Sequence, residues 1–455
     1  MPYNQEELVY SVNESKKTIE TVIDIDEKPD SWSKTILYGL QMTLVNFTPF
    51  IWASAFVTIA GLPEEILPTL VSTCFIAMGI GTLIQTKWGN KLPLVQGPSA
   101  SVMTIMGNVT NVFGFAAMWG AVIVGGIIEF LIGASRMIGY LKKFIPPAVI
   151  GAVVATIGFV ASKIAVTWIF SEPNPINLFL AFTAFIIALT LKLKFEGFLG
   201  QGFILISTFI VGIILSTILG EFNWNAVAAE PWFSLPEFFP FQDLEGYGPR
   251  PFVLVSGAII GGFTGYIGSM FESLGDYAAV TSICGVDYKV KHMNKGIAAE
   301  GIGCTISGLI GALPVTSYTQ NIGIIAATGV ASKFVVQIAA VIFILYGLSP
   351  KLATLLVTIP TPVIGGVFLI TAALIMFSGF DLILSEKRNF TNTVIAGTTL
   401  GAAIMIPFFA ETTGANWVNS LNQFLQMYLT GHIFIAVTFG IALNFIIKYV
   451  LKVDK

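Results

Sequence analysis

Charge is scarce in this sequence. Asp, Glu, Lys and Arg together make up 11% of 455 residues, against about a quarter in soluble domains. With 55% hydrophobic residues and a mean hydropathy of +0.82, that deficit excludes a string of soluble domains. It points to one polytopic body in a lipid bilayer. Lys and Arg are few and gathered at loop ends, so there is no footprint for nucleic acid. Histidine is nearly missing: His292 falls in a loop and His432 at the start of the last apolar run. Neither suits a relay at mid-membrane. The three cysteines, Cys74, Cys284 and Cys304, sit in apolar segments without metal-ligand spacing, which argues against a disulfide framework or a metal site. Nucleophile elbows and phosphate-binding glycine loops are also missing, so neither an enzyme nor an ATP-driven machine is expected, and no cofactor. Residues 1–34 are polar and acid-rich. They read as a loosely ordered tail without a cleavable signal.

Apolar runs are what the chain has in abundance. Hydropathy marks fourteen candidate spans between residues 35 and 450, of which two, 93–108 and 316–330, are short. A membrane helix needs about 20 residues. The basic residues decide whether the short runs cross. If both do, 20 of the 23 Lys and Arg fall on one side, with Arg250 and Lys351 opposite and Lys163 inside a span. Positive charge marks the cytoplasmic side, so both termini are expected there, in a plasma-membrane protein. Lys163, near the outer end of its span, is expected to snorkel.

A short crossing needs non-helical backbone, tolerated at membrane depth only where protein or a watery cavity satisfies it. "PLVQGPSAS" at 93–101 and "PVTSYTQNI" at 314–322 both begin with proline and place small polar residues before a short apolar helix. Each reads as an extended stretch feeding a half-helix, whose N-terminal N–H groups suit a ligand's oxygens. "IPPAVIGAVV" at 145–154 returns as "IPTPVIGGVF" 214 residues later, and the two short crossings are 221 apart. Matched landmarks at nearly one spacing point to a duplication of seven spans. Seven is odd, so the second copy is inserted upside down, and the site falls where the interruptions meet. The expected fold is an all-α polytopic membrane protein, with fourteen segments as seven-plus-seven inverted repeats and two strand/half-helix segments at the site.

Four acids fall within spans: Glu129, Glu272, Asp276 and Glu300. Each must be neutral, paired or in a cavity, because a charge at mid-bilayer costs at least a few kcal/mol, about 2.5–3.5 on insertion scales. Glu272 and Asp276 are four apart and share a helical face. A carboxyl held away from water can exchange a proton near neutrality, as proton-coupled transport requires. Each acid can equally serve as a structural hydrogen-bonding group, and Glu129 has no partner motif.

"QNIGIIAATG" at 320–329 fits the signature of the nucleobase–ascorbate transporter family: Gln, Glu or Pro, then Asn, any residue, Gly, four of any, Thr, and Arg, Lys or Gly. Here these are Gln320, Asn321, Gly323, Thr328 and Gly329. "FESLGDYAAV" resembles that family's eighth span, "AAEGIG" its ninth and "GLQMTL" its first. The resemblance runs from about residue 35 to 450. It implies a core domain of 35–135 (spans 1–4) and 252–349 (spans 8–11), after the cytoplasmic tail. A gate domain of 145–219 (spans 5–7) and 353–450 (spans 12–14) would carry a homodimer contact. It also implies import of a nucleobase with H+ or Na+ by elevator-like movement of core against gate. Glu272 would bind the base and Gln320 complete the clamp, with Ser99, Ala100 and Tyr318 beside them. Asp276, Glu300, Asn321 and Thr328 would organise the site or carry the proton. Gln at the first signature position resembles xanthine and urate carriers, Glu those of uracil, and Pro those of ascorbate. Two departures stand out: Met42 follows Gln41 where the family has His, and Ala100 stands where Phe is frequent.

Four other readings compete with import of xanthine or urate: a uracil:H+ symporter, a sulfate-type anion carrier, a Na+-coupled ascorbate carrier, and an intramembrane enzyme or passive channel.

Overall fold

Prolines and small polar caps set where the helices begin. Pro49, Pro147 and Pro175 lie in the first turn of their helices, where a missing N–H costs nothing. Ser31 and Asn174 cap the next helices by accepting from the N–H groups of Lys34 and Asn177, at 3.3 and 2.8 Å. The computed structural model describes residues 8–10, 19–138, 146–235, 237–242, 250–385 and 390–452. Lys16, Lys17, Lys142, Lys143, Lys387, Arg388 and Lys455, used above to orient the chain, lie outside the described residues, as does Ile145 at the head of the first repeat copy.

The first half comprises α1 (Trp32–Val45), α2 (Pro49–Ala60), α3 (Leu67–Lys87), strand β1 (Gln96–Pro98), α4 (Ala100–Phe113), α5 (Phe115–Ala134), α6 (Pro147–Ile169) and α7 (Pro175–Lys194). The second comprises α8 (Ser256–Cys284), α9 (Val290–Leu309), strand β2 (Val315–Ser317), α10 (Thr319–Thr328), α11 (Lys333–Gly347), α12 (Thr361–Leu384), α13 (Phe390–Glu411) and α14 (His432–Phe445). The chain is a mostly helical, multi-pass membrane protein. Among the described residues, seven helices are long and apolar enough to cross a bilayer, or nine if two sharply bent pairs each count as one span.

Several expected boundaries shift. The first span breaks between α1 and α2 around Asn46–Thr48, where Pro49 prevents continuation. The last of the spans expected within 145–219 contains a wide-turn segment, Thr208–Leu215, between short α-helices. The first of those expected within 353–450 divides at Thr358–Pro360. Its first part, Pro350–Val357, bends 82° from α11, and α12 begins after Pro360. Before α14, the helix Gln423–Thr430 turns by 87°.

The closest helix packing falls into two sets. In one, α5 lies along α9, α3 along α11 and α4 along α8; in the other, α6 lies along α12 and α12 along α7. Small residues permit the close approach. A methyl group added at Gly301 of α9 would sit 2.3 Å from the Phe130 nitrogen of α5, and one at Gly379 of α12 would sit 2.3 Å from the Ala155 nitrogen of α6.

The described part of the N-terminal tail is not loose. Val22 and Ile23 donate backbone N–H groups to the Gly329 carbonyl at 2.8 and 3.2 Å. Ala331 and Lys333 donate to the carbonyls of Ile23 and Ile25 at 2.8 and 3.0 Å. Asp26 pairs with Lys333. The alternation in "VIDIDE" explains the order: its period of two buries Ile23 and leaves the acids outward. Leu8–Tyr10 pairs antiparallel with Tyr288–Lys289. Gly329 has φ +70°, and any side chain there would also meet Val22, so the crossing strap and the backbone both require glycine.

Candidate functional site

The two proline-led segments meet. β1 and β2 pair antiparallel, Gln96 opposite Ser317, Gly97 opposite Thr316 and Pro98 opposite Val315. The Ser99 N–H donates to the Pro314 carbonyl at 2.7 Å, and the Tyr318 N–H to the Val95 carbonyl at 3.0 Å. This ribbon satisfies backbone groups that a broken helix leaves open. Each strand feeds a short helix: α4, capped by the Ser99 hydroxyl accepting from the Val102 N–H at 3.3 Å, and α10, which starts at Thr319. Asn321 ties α10 to the other segment by donating Nδ2–H to the Pro93 carbonyl at 2.7 Å.

α8 crosses this ribbon and carries the acids. Asp276 is fully engaged: Ser317 Oγ lies 2.7 Å from Oδ2, and Thr319 Oγ1 lies 2.9 Å from Oδ1. Glu300, from α9, accepts from Ser273 Oγ at 2.7 Å and from the Tyr277 hydroxyl at 2.6 Å. Tyr277 accepts in turn from Gln85 Nε2 at 2.9 Å. Ser273 also lies 2.7 Å from Thr316 Oγ1 and 3.1 Å from Ser317 Oγ. Ser317 has one hydroxyl proton, so it serves Asp276 or Ser273 at any moment. Both Asp276 and Glu300 are buried, and both clamp the ribbon to α8 and α9.

Glu272 differs. It is half-buried, and only Oε2 is engaged, accepting from Ser101 Oγ at 3.1 Å. Oε1 has no partner among the described residues. Gly275 and Ala279, three and seven positions on, are exposed on the same face of α8, as is Thr319 at the start of α10. Gln320, half-buried beside Thr319, makes no hydrogen bond to the described residues. The free carboxylate oxygen is thus on α8, and the free amide is next in sequence to Thr319, which bonds Asp276 on that same helix.

The other expected site residues make contacts of their own. Ser99 is buried and lies 3.3 Å from Ser269 Oγ. Ala100 is the first residue of α4, and its carbonyl accepts from Thr104 Oγ1 at 2.8 Å. The Tyr318 ring fills the space above Gly97 and its hydroxyl accepts from Thr48 at 3.3 Å. Thr328 closes α10 by donating to the Ile324 carbonyl at 2.7 Å. Met42 is buried, and its carbonyl accepts from Asn46 Nδ2 at 2.8 Å. Glu129 is buried with neither oxygen hydrogen-bonded to the described residues. Ser101, Ser273, Tyr277, Gln85, Ser317 and Thr319 were not singled out from sequence. Ser273 and Tyr277 repeat the four-residue spacing of Glu272 and Asp276 one position later, which is the signal that marks them.

A helical membrane body with two interrupted helices paired around engaged acids and one open acidic face has the architecture of a secondary transporter. The sequence comparisons agree. A model described as "Permease family" matches residues 33–412. The chain is 30% identical over 399 residues to the uric acid permease PucK of Bacillus subtilis, covering 84% of this chain and 90% of that protein. It is 27% identical over 403 residues to a xanthine permease of the same organism, covering 85% and 89%. The transmembrane domain of a cyanobacterium bicarbonate transporter, BicA, matches in fold at TM-score 0.62 and 14% identity, over 93% of this chain and 99% of that one. The chain therefore belongs to this permease family, the nucleobase–ascorbate transporters whose motifs it carries, and is a transporter rather than an enzyme.

Proposed function

We propose that the chain imports an oxidised purine, xanthine or uric acid, together with H+ across the plasma membrane. The observation that carries this reading is that Glu272, beside exposed Gly275 and Ala279, keeps one oxygen unengaged, while the unengaged Gln320 amide follows Thr319, which bonds Asp276 on the same helix. Gln320 offers donors and an acceptor together, matching the lactam edge of an oxidised purine. Ser99 and Ala100 present backbone at the start of α4. Asp276, Glu300 and Asn321 hold the ribbon in register. Relatives described as uric acid and xanthine permeases support the substrate class.

The mechanism follows from fourteen segments arranged as inverted repeats, both termini cytoplasmic. α1–α5 with α8–α11 form a core that moves past a gate of α6, α7 and α12–α14, and the gate pairs with a second copy. The two packing sets support this division. Glu272 takes up the coupling proton as the base enters and gives it up on the other side. The fold shared with a bicarbonate transporter leaves an anion carrier as the second reading. Against it stands the Gln320 amide, whose donors and acceptor suit a lactam edge better than a simple inorganic anion, and a carboxylate that repels an anion unless it is protonated.

Uptake of labelled xanthine, uric acid, uracil, ascorbate and bicarbonate by cells expressing the chain tests the proposal. Xanthine or uric acid should accumulate against a gradient, an uncoupler should collapse the gradient, and excess uracil should leave uptake intact. Accumulation of uracil or bicarbonate instead overturns it, as does purine uptake indifferent to the uncoupler.

A further inference from the structure

A cavity of about 420 Å³ has neither Glu272 nor Gln320 in its lining. It lies at the C-terminal ends of α2, α6 and α13, beside the turn that precedes α14. Thr104 is in its wall, about one helical turn along α4 from Ala100. Its volume falls in the range of small-molecule sites, roughly 300–1,000 Å³. Three titratable side chains line it: Lys163 of α6, Glu411 of α13 and His432 of α14. Lys163 Nζ donates to Glu411 Oε2 at 2.5 Å, both side chains about half-exposed. Lys163 therefore pairs with Glu411 at the cavity wall.

Stability does not explain this lysine. An exposed ion pair contributes about 0–1 kcal/mol, while an ionisable group in an apolar helix is costly enough to mark function by default. The remaining walls are amides with capacity to spare. The Asn108 side chain makes no hydrogen bond to the described residues. Gln426 donates Nε2–H to the carbonyls of Asn419 and Leu421 at 3.2 and 2.8 Å, which leaves its Oε1 as an acceptor. His432 Nδ1 lies 2.8 Å from the Ala403 carbonyl. In the neutral ring that nitrogen holds the proton, and Nε2 is an acceptor without a partner among the described residues.

We infer that this cavity is a capture site for a flat anionic heterocycle, a purine oxidised enough to exist as a monoanion. Lys163 exchanges Glu411 for the ligand's charged edge, and Asn108 and Gln426 bond its neutral lactam groups. The ligand class rests on the transport reading; the site itself does not. A neutral purine has nothing to offer Lys163 that Glu411 does not already supply, so the site selects by charge.

The test is binding of labelled uric acid and of neutral hypoxanthine to the purified full chain carrying Glu272→Gln, which disables the other site. Uric acid should still bind. Adding Lys163→Gln should weaken it about tenfold or more, and adding Glu411→Gln instead should tighten it severalfold by removing the competing carboxylate. A gain of affinity cannot come from misfolding. Hypoxanthine binding should respond to neither change. Loss of uric acid binding in the Glu272→Gln chain, equal affinity after Lys163→Gln, or parallel losses for both purines would overturn the inference. If wild-type cells take up no purine while Lys163-dependent uric acid binding persists, the transport reading falls and the capture site stands.

Discussion

Glu272→Gln should abolish accumulation of xanthine and uric acid, with uptake falling at least a hundredfold while the protein still folds. The substitution keeps the side chain's shape, and its amide oxygen can still accept from Ser101, so the contact seen at 3.1 Å survives. What it removes is the group that can gain and lose a proton at the open face. Accumulation depends on that exchange, whereas folding depends on the Asp276 and Glu300 contacts, which the change does not touch. Initial rates of labelled uptake, measured beside the amount of protein in the membrane, give the answer. Undiminished uptake at equal abundance removes Glu272 from the mechanism.

Gln320→Glu should weaken purine binding by about ten- to a hundredfold, the 1–3 kcal/mol of a lost hydrogen bond and an unpaired partner. It should also shift the competition profile toward uracil. The native amide brings donors and an acceptor together; the carboxylate brings acceptors only while ionised. A second carboxylate near Glu272 also makes it harder for both to be charged. The substitution leaves the backbone anchors of α10 in place, since Asn321 holds the Pro93 carbonyl independently. Competition of labelled xanthine uptake by unlabelled uracil and xanthine measures the change. An unaltered profile would exclude Gln320 from the clamp.

The meeting of the two interrupted crossings was legible in sequence because proline, shortness and small polar residues coincide there, and few other causes produce that coincidence at membrane depth. The network behind it was not. Ser273 and Tyr277 lie on α8 and Gln85 on α3; the four-residue spacing marks the first two, but nothing ties Gln85 to them until the helices are packed. Composition does not distinguish the three acids. The family resemblance set Glu272 apart from Asp276 and Glu300, and the packed structure shows those two engaged through both oxygens and Glu272 through one. The packing of the Tyr318 ring over Gly97 was equally hidden, since it depends on the pairing of the two strands. The N-terminal strap was hidden because acid-rich composition outweighs a four-residue alternation in any compositional reading, although that alternation is what buries Ile23.

A structure of the purified chain with bound xanthine or uric acid tests the central claim most directly. The purine should lie against Glu272 and Gln320 with its edge near the Ser99–Ala100 backbone. A purine bound only elsewhere, with the Glu272 oxygen and the Gln320 amide both still unengaged, would contradict it.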